Sequence, residues 1–343
     1  MDEALKPLTD AEYKNSKELY AIDLMKLFMA LSVVGIHTDP LKTYSSFINS
    51  FLMFGIFRLS VPFFFVSSSW LLFRKIDLNN IRAENIRKYI CRLTVMYVLW
   101  TLIYIPAIID EYTSFAALLK NVFLLGSYNQ LWYLLASIYA VILIYLLLRI
   151  KFKKVIFVLA ALCFIAGLSV SGYYELLSGG ARVAADAYLD RFISARNGLL
   201  FAFPYMAVGV LLAKNKRQYG KKQVLCVLGL LYILHLTEMF IIRKFDLCYT
   251  TDLTLITLPL TAVLVYTLIH INLKKRKIYS FLRNSSIIVY LIHPYIIKLY
   301  DAVISLDNSL VRYIFVCTVS LLAAKIILSL EKYKYFAFLK YLH

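Results

Sequence analysis

The chain has 343 residues, of which 61% are hydrophobic and only 17% are charged. A water-soluble domain of this length could not bury so much apolar surface, and such a composition is typical of membrane proteins. The formal net charge of +18 would suggest a nucleic-acid partner in a soluble protein. Here the basic residues lie in short runs between apolar stretches, as membrane topology produces, so no nucleic-acid partner is expected.

Ten apolar segments have about the length needed to cross ~30 Å of hydrocarbon, which takes roughly 20 helical residues. They lie at 20–38, 51–73, 91–109, 131–149, 155–171, 198–213, 223–242, 253–272, 284–302 and 310–329. The sequence therefore predicts an all-α membrane protein, a bundle of about ten transmembrane helices. The first segment is expected to be retained, because no small-residue cleavage site follows it. Segment 114–126 is apolar but carries Lys120, and we interpret it as an interfacial helix.

The distribution of Lys and Arg predicts the orientation of this bundle. With the N-terminus inside, 26 of these residues fall in cytoplasmic connections and 8 in external ones. Because positively charged connections stay on the cytoplasmic side, both termini are expected in the cytoplasm. The predicted organisation is a cytoplasmic N-terminal tail (1–19), a ten-helix membrane domain (20–329) and a cytoplasmic C-terminal tail (330–343). The longest external loop is predicted at about 172–197.

Several motifs that carry chemistry are absent from the chain. The five cysteines form no CxxC or Cys/His pair, and four of them lie in or at the ends of apolar segments, so neither a disulfide nor a metal site is expected. There is no GxxxxGK, GxSxG or HExxH motif. The sequence therefore does not support an ATP-driven pump or a membrane hydrolase.

The first segment carries two ionisable residues, Lys26 and His37, and such residues inside a span are candidates for a functional site. Their spacing of eleven residues separates them by only ~20° around a helix and by ~16 Å along it. The two side chains would therefore lie on one face, as suits a long ligand that is anionic at one end and reactive at the other. A lysine that extends to the inner headgroups and a structural histidine at the outer interface remain the alternatives.

The second segment contains Arg58, Pro62 and three consecutive serines, Ser67–Ser69. Proline frees a backbone carbonyl, and serines allow close approach or hydrogen bonds between helices. A packing helix with a proline kink would have the same pattern. Trp132 opens the fourth segment at the predicted outer interface, where aromatic residues are common.

Two later segments also carry polar pairs three residues apart, which share a helix face. His235 and Glu238 lie near the outer end of the seventh segment and could orient a hydroxyl, although structural roles at the interface are an alternative. Tyr290 and His293 lie in the middle of the ninth segment. His293 directly precedes Pro294, an unusual position that favours a functional role without excluding a structural one.

Motifs along nearly the whole chain, each weak alone, resemble those of a known family when taken in order. They are Asp23-x-x-Lys26 with His37; Val61 to Phe65 with Ser68-Ser69-Trp70; Lys88 to Arg92 with Tyr97 and Trp100; Leu131 to Leu134; Arg196-Asn197-Gly198 with Phe203-Pro204-Tyr205 and Gly209; and Ser286 to His293. The family is that of the integral-membrane acyltransferases called acyltransferase 3, which includes O-acetyltransferases of bacterial surface polysaccharides.

The chain departs from this family at three motifs. The Ser-Gly of the family's second segment is Ser68-Ser69 here. Lys26 stands where the family usually has arginine, which keeps the charge but loses the two-pronged donor geometry. Tyr89 stands where the first arginine of the third-segment pair would fall, and Arg92 remains. The stretches His37 to Leu41 and Arg196 to Gly198 also resemble the membrane half of vancomycin-resistance serine/alanine racemases, in which a soluble racemase domain follows.

The resemblance implies an enzyme of the bacterial inner (plasma) membrane that moves an acyl group, most simply acetyl, from cytoplasmic acyl-CoA. The implied acceptor is a hydroxyl of an envelope sugar or lipid-linked glycan, so the expected partners are acyl-CoA, this glycan and the lipid bilayer. Acyl-CoA (acetyl-CoA) would act as a cosubstrate, and no permanently bound cofactor and no metal are expected.

The resemblance also implies roles for individual residues. His37 would act as general base on the acceptor hydroxyl or would briefly carry the acyl group, because histidine titrates near working pH. The CoA phosphates would be held by cationic side chains, namely Lys26, Arg87, Lys88 and Arg92. Residues on the acceptor side, or supporting those that contact the acceptor, would be Arg58, Ser68, Trp132 and His293. A membrane carrier without chemistry, related to the racemase membrane halves, and a purely structural membrane partner are the alternative functions.

Overall fold

The computed structural model describes residues 19–78, 81–108, 114–150, 153–215, 217–304 and 306–343. The predicted N-terminal tail, apart from Leu19, lies outside the described residues. The described part contains helices and no strands, which confirms the predicted all-α class. The α-helices are α1 (Tyr20–Thr38), α2 (Ser46–Ser50), α3 (Ser60–Phe73), α4 (Ala83–Ile108), α5 (Phe115–Lys120), α6 (Trp132–Arg149), α7 (Lys153–Ser169), α8 (Gly179–Phe192), α9 (Phe203–Lys214), α10 (Lys221–Lys244), α11 (Thr257–Ile269), α12 (Ile278–Val303) and α13 (Ser309–Leu330).

Several short turns of other helical types join these helices. π-helical turns cover Phe51–Ile56, Asn121–Leu125 and Gly198–Ala202, and 3-10 helices cover Phe57–Leu59, Asn129–Leu131, Tyr174–Leu176 and Lys334–Leu342. The turns at 51–59, 129–131 and 198–202 lead directly into α3, α6 and α9. Pro62 lies in the first turn of α3, just after the interruption at 51–59, which is where a residue without an N–H is tolerated.

Within the described residues, seven helical stretches are long and apolar enough to cross a membrane. They correspond to the first, second, third, fourth, seventh, ninth and tenth predicted segments. The other three predicted segments are shorter apolar helices, namely α7, α11 and the stretch Gly198–Lys214. The protein is thus a multi-helix membrane bundle, and all ten predicted segments are helical. The predicted orientation of the termini stays a prediction.

Two regions differ from the sequence-based boundaries. Helix α4 begins at Ala83, eight residues before the predicted third segment, so Arg87 and Lys88 are helical. The predicted external loop 172–197 contains the helix α8, whose composition is too polar to stand out by hydropathy. The predicted interfacial helix at 114–126 is helical from Phe115 to Leu125, while its depth in the membrane stays a prediction.

The described chain divides into two compact units. The first contains residues up to Phe64 together with those from Thr267 onwards. Its core is formed by α1, α12 and α13, which pack against one another. At one end of α1, the ring of Tyr20 stacks on that of Tyr279 of α12 with centroids 4.7 Å apart. Helix α1, the first in the described part of the chain, is therefore held by the last two long helices.

The second unit runs from Phe65 to Tyr266. Helix α6 packs against α4, α7 and α9, and its buried Trp132 contacts Phe65 and Phe201, with ring centroids 5.9 and 5.3 Å apart. Gly209 of α9 lies so close to α3 that an added Cβ would be 2.6 Å from the carbonyl oxygen of Val66. A side chain at this position would push the two helices apart, which explains why the family motif has glycine here.

Candidate functional site

The first unit brings together two of the histidines that the sequence selects as candidates. His37 lies in the last turn of α1 and is exposed, whereas His293 of α12 is fully buried. Their ring centroids are 5.2 Å apart, and the planes of the rings are inclined by 35°. An exposed imidazole thus contacts a second imidazole that is shielded from solvent.

The backbone of α12 determines which nitrogen of His293 carries the proton. Nδ1 lies 2.8 Å from the carbonyl oxygen of Tyr290 and 3.3 Å from that of Val289. A carbonyl only accepts hydrogen bonds, so Nδ1 is assigned the hydrogen. Nε2 is then an acceptor, and among the described residues this buried atom has no hydrogen-bond partner. The ring therefore offers one lone pair in a buried setting beside His37.

Lys26 lies on α1, eleven residues before His37, and is half-buried. Because the intervening chain is one continuous helix, the predicted placement of the two residues on one helix face holds in the structure. Within the first unit, Arg58 lies in the 3-10 turn before α3, with its guanidinium 5.9 Å from the ring centre of Phe54. The structure thus places Lys26 and Arg58 in the unit that contains the two histidines.

The acidic residue of the first-segment motif has a partner that sequence reasoning missed. Asp23 is buried, and its carboxylate lies 3.6 Å from the guanidinium of Arg283 on α12. Arg283 belongs to none of the motifs described above and stands out in the sequence only as a basic residue. A carboxylate inside an apolar segment requires a cation nearby, and this requirement is the signal that could have pointed to a partner.

The basic residues proposed for CoA lie on α4 in the second unit. Arg87, Lys88 and Arg92 are all exposed. Lys88 and Arg92 are one helical turn apart, and Lys88 also forms an ion pair with Glu84 at 2.6 Å. An ion pair between such exposed side chains contributes little stability. The three cations therefore form an accessible basic surface at the start of the helix.

In the second unit, Ser68 lies close to Tyr133, the residue that follows Trp132. The hydroxyl of Ser68 lies 3.4 Å from that of Tyr133. Trp132 belongs to an aromatic cluster with Phe65 and Phe201. This contact between α3 and α6 was not predictable from the spacing of the two motifs, which are more than sixty residues apart.

Other polar residues singled out by the sequence have structural roles here. Glu238 accepts hydrogen bonds from the backbone N–H groups of Leu255 and Ile256, at 2.5 and 3.0 Å, and from the hydroxyl of Tyr173. These bonds hold the chain just before α11, which favours the structural interpretation of Glu238. His235, one turn before it, is fully buried.

The Arg-Asn-Gly motif organises the connection between α8 and α9. Arg196 forms two parallel hydrogen bonds with Asp252, at 2.8 and 2.9 Å. The side chain of Asn197 accepts hydrogen bonds from the N–H groups of Leu199 and Leu200 and so caps the helical turn that leads into α9. The motif therefore has a local structural function in this chain, since it organises the connection between α8 and α9.

Comparison with known proteins adds a family and several relatives. The family model described as an acyltransferase domain matches residues 19–329. Two proteins of Enterococcus faecalis named amino-acid racemase are 25% and 27% identical over 91% and 90% of this chain, which corresponds to 46% and 45% of their own length. A serine/alanine racemase of Enterococcus gallinarum is 28% identical over 86% of this chain and 44% of its own.

The chain thus spans less than half the length of the curated relatives that it matches. No solved structure shows a significant match to it.

Proposed function

Because the chain belongs to the acyltransferase family whose domain model matches residues 19–329, we propose that it transfers an acyl group from cytoplasmic acyl-CoA. The acyl group is acetyl in the simplest case. The acceptor is a hydroxyl of a cell-envelope sugar or lipid-linked glycan, and the reaction takes place in the bacterial plasma membrane. In this proposal acyl-CoA is a cosubstrate, and the CoA product leaves after each turnover.

The observation that carries this proposal is the contact between His37 and His293, whose ring centroids are 5.2 Å apart. Nε2 of His293 can accept a hydrogen bond from one ring nitrogen of His37, which leaves the other nitrogen of His37 with its lone pair directed away from His293. Formation of this hydrogen bond would hold a neutral His37 in one tautomer, and such an imidazole is suited to act as a general base.

In the proposed reaction, His37 takes the proton of the acceptor hydroxyl as the hydroxyl oxygen attacks the thioester carbonyl carbon. The new C–O bond forms and the C–S bond to CoA breaks. The proton then passes from His37 to the leaving sulfur, so that the products are an ester and CoA thiol and His37 is again neutral. His293 touches neither substrate in this scheme and acts by positioning His37.

The cations found at two places on the chain support a polyanionic donor. Lys26 shares a helix face with His37, about 16 Å away along the axis, a distance that suits an extended pantetheine arm. Arg87, Lys88 and Arg92 form the accessible basic surface of α4, and such a surface attracts phosphates. Ser68, Trp132 and Arg58 are assigned to the acceptor side.

The test is acyl transfer by the purified full chain in lipid nanodiscs, with labelled acetyl-CoA and an envelope glycolipid extract as acceptor. We expect His37→Ala to lower the rate by roughly 10²–10⁴-fold, the usual contribution of a general base, with normal insertion and yield. The matched control is His270→Ala, which removes a histidine that does not belong to the His37–His293 pair. Full transfer by His37→Ala would overturn this assignment and leave His293 as the leading base.

A second candidate function is a carrier of small amino acids, favoured by the names of the relatives, which are amino-acid and serine/alanine racemases. Such a carrier would move labelled L-serine into proteoliposomes without CoA and would not release CoA thiol. Uptake without CoA, together with no acyl transfer, would select this candidate over the enzyme.

A further inference from the structure

A cavity of about 310 Å³ lies in the second unit, away from the residues assigned above except Trp132. One wall is the segment from Asn121 to Trp132, which joins α5 to α6. The other wall is the segment from Phe192 to Arg196, which follows α8. Its volume lies at the lower end of the range of small-molecule sites, roughly 300–1,000 Å³.

The lining of this cavity combines amides and hydroxyls with aromatic rings. Its polar side chains include Asn121, Asn129 and the hydroxyls of Ser127 and Ser194, and its rings include Tyr128 and Trp132. Amide and hydroxyl groups both donate and accept hydrogen bonds. The faces of aromatic rings carry partial negative charge and attract the positive edges of C–H groups. Both chemistries suit a ring that bears several hydroxyls.

The first wall is held rigidly in place. Tyr128 stacks on Tyr104 of α4, with ring centroids 4.4 Å apart and planes 17° apart. The hydroxyl of Ser127 lies 2.6 Å from that of Thr101, also on α4. Gly126 adopts a φ of 96°, and an added Cβ there would lie 2.5 Å from the backbone nitrogen of Trp132. A preformed site of this kind loses little entropy when it binds a ligand.

The second wall contains a strained residue. Ile193 has a φ of 66°, a left-handed conformation that is a genuine outlier for a β-branched side chain. Such strain persists only where surrounding contacts impose it, and it concentrates at functional sites. Here Tyr188 donates a hydrogen bond to the carbonyl of Ser194 and accepts one from Asn197. Burial raises the pKa of Tyr188 to about 12, so its hydroxyl remains a donor at working pH.

The charge of the cavity identifies the class of ligand. Among the described residues that line the cavity, Arg196 is the one that carries a charge. Its guanidinium is paired through two hydrogen bonds with Asp252, whose side chain is 3% exposed. Because the buried carboxylate compensates the guanidinium, this described lining is close to neutral. The carboxylate of an anionic or zwitterionic ligand would be desolvated here without an uncompensated cation beside it. A neutral polyol carries no charge and does not incur this cost.

We propose that this cavity binds a neutral sugar ring, which lies against Tyr128 and Trp132 and makes hydrogen bonds with Asn121, Asn129 and Ser194. The identification of this sugar as part of the glycan acceptor rests on the proposed function. The binding of the sugar to the cavity does not depend on the proposed function.

The test uses the full chain in nanodiscs and saturation-transfer NMR, with N-acetylglucosamine and glucose as neutral probes and L-serine as the zwitterionic one. We expect saturation of the sugar protons and none of the serine protons. Asn129→Leu keeps an exposed side chain of similar size but removes its hydrogen bonds, and we expect it to weaken sugar binding by at least fivefold. Ser194→Ala is a second, smaller change in the other wall with the same expected direction.

Gln223→Ala, an exposed amide removed from α10, is the matched control and should bind the sugars as the unaltered chain does. Equal sugar binding by the unaltered chain and both cavity variants, or binding of serine in place of sugar, would overturn the proposal. Transfer from labelled acetyl-CoA to the glycolipid extract is measured on the same samples. Sugar binding without transfer would refute the proposed function alone, and transfer without sugar binding would refute this inference alone.

Discussion

Nδ1 of His293 lies 2.8 Å from the carbonyl oxygen of Tyr290, and Pro294 explains why that oxygen is available. In an uninterrupted helix, the residue at position 294 would donate its N–H to the carbonyl four residues earlier, which is that of Tyr290. Proline has no N–H. The histidine before the proline supplies the missing donor from its own side chain. One dipeptide in α12 thereby fixes both the tautomer of His293 and the acceptor that it presents beside His37.

This relationship predicts the effect of Pro294→Ala. Alanine restores the backbone N–H, which then competes with Nδ1 of His293 for the Tyr290 carbonyl. We expect acyl transfer to fall about five-fold, since one hydrogen bond contributes ~1 kcal/mol, and the pH profile of the rate to change because His37 loses its fixed partner. The thermal midpoint should not fall, because alanine favours helix. Pro106→Ala, a proline replaced inside α4, is the control. A rate and pH profile identical to those of the unaltered chain would contradict the tautomer argument.

Variants of Lys26 test the role of the cation on the face of α1 that carries His37. Lys26→Arg introduces the arginine that the acyltransferase 3 family usually has at this position, with its two-pronged donor geometry. This variant should retain or raise activity. Lys26→Ala should mainly raise the KM for acyl-CoA and lower kcat less, because in the proposed reaction the lysine contacts the donor and not the reacting atoms. Steady-state kinetics over a range of acyl-CoA concentrations make this comparison. An unchanged KM in Lys26→Ala would return the residue to the interpretation of a lysine that extends to the headgroups.

The basic surface of α4 predicts a salt-dependent affinity for the donor. Replacing Arg87, Lys88 and Arg92 together by alanine should weaken CoA binding about tenfold at low ionic strength. The difference should shrink as salt screens the charges. Calorimetric titration with CoA at two salt concentrations measures both effects. The matched control removes three other basic residues, Lys332, Lys334 and Lys340, near the C-terminus. Equal CoA affinity in the two triple variants would remove α4 from the donor site.

The orientation of the bundle is tested independently of any activity. A reporter fused after His343 should report cytoplasm, and one inserted in the predicted external loop should report the outside, because the charge asymmetry of the connections favours this arrangement. Placing the insertion between Leu177 and Ser178, before the start of α8, avoids interrupting this helix. An external signal from the C-terminal fusion would contradict the prediction of ten crossings.

The helices and the family were accessible from the sequence because both depend on local patterns. Apolar runs of membrane length must become helices in lipid, since every backbone group there needs an internal partner. The short helices α7 and α11 follow the same rule but end earlier than hydropathy predicts. Helix α8 was missed, because its alternation of alanines with charged residues resembles that of an exposed loop.

Residue spacing alone identifies the exceptional residues, which are His37 and Lys26 on one face of α1 and His293 before Pro294. What these residues contact follows from the tertiary structure. It placed His293 against His37, paired Asp23 with Arg283, and assembled the cavity beside Arg196 from two distant segments. The physical reason is that a helix face follows from a spacing of a few residues. A contact between helices depends instead on how whole surfaces pack, and no local pattern encodes that.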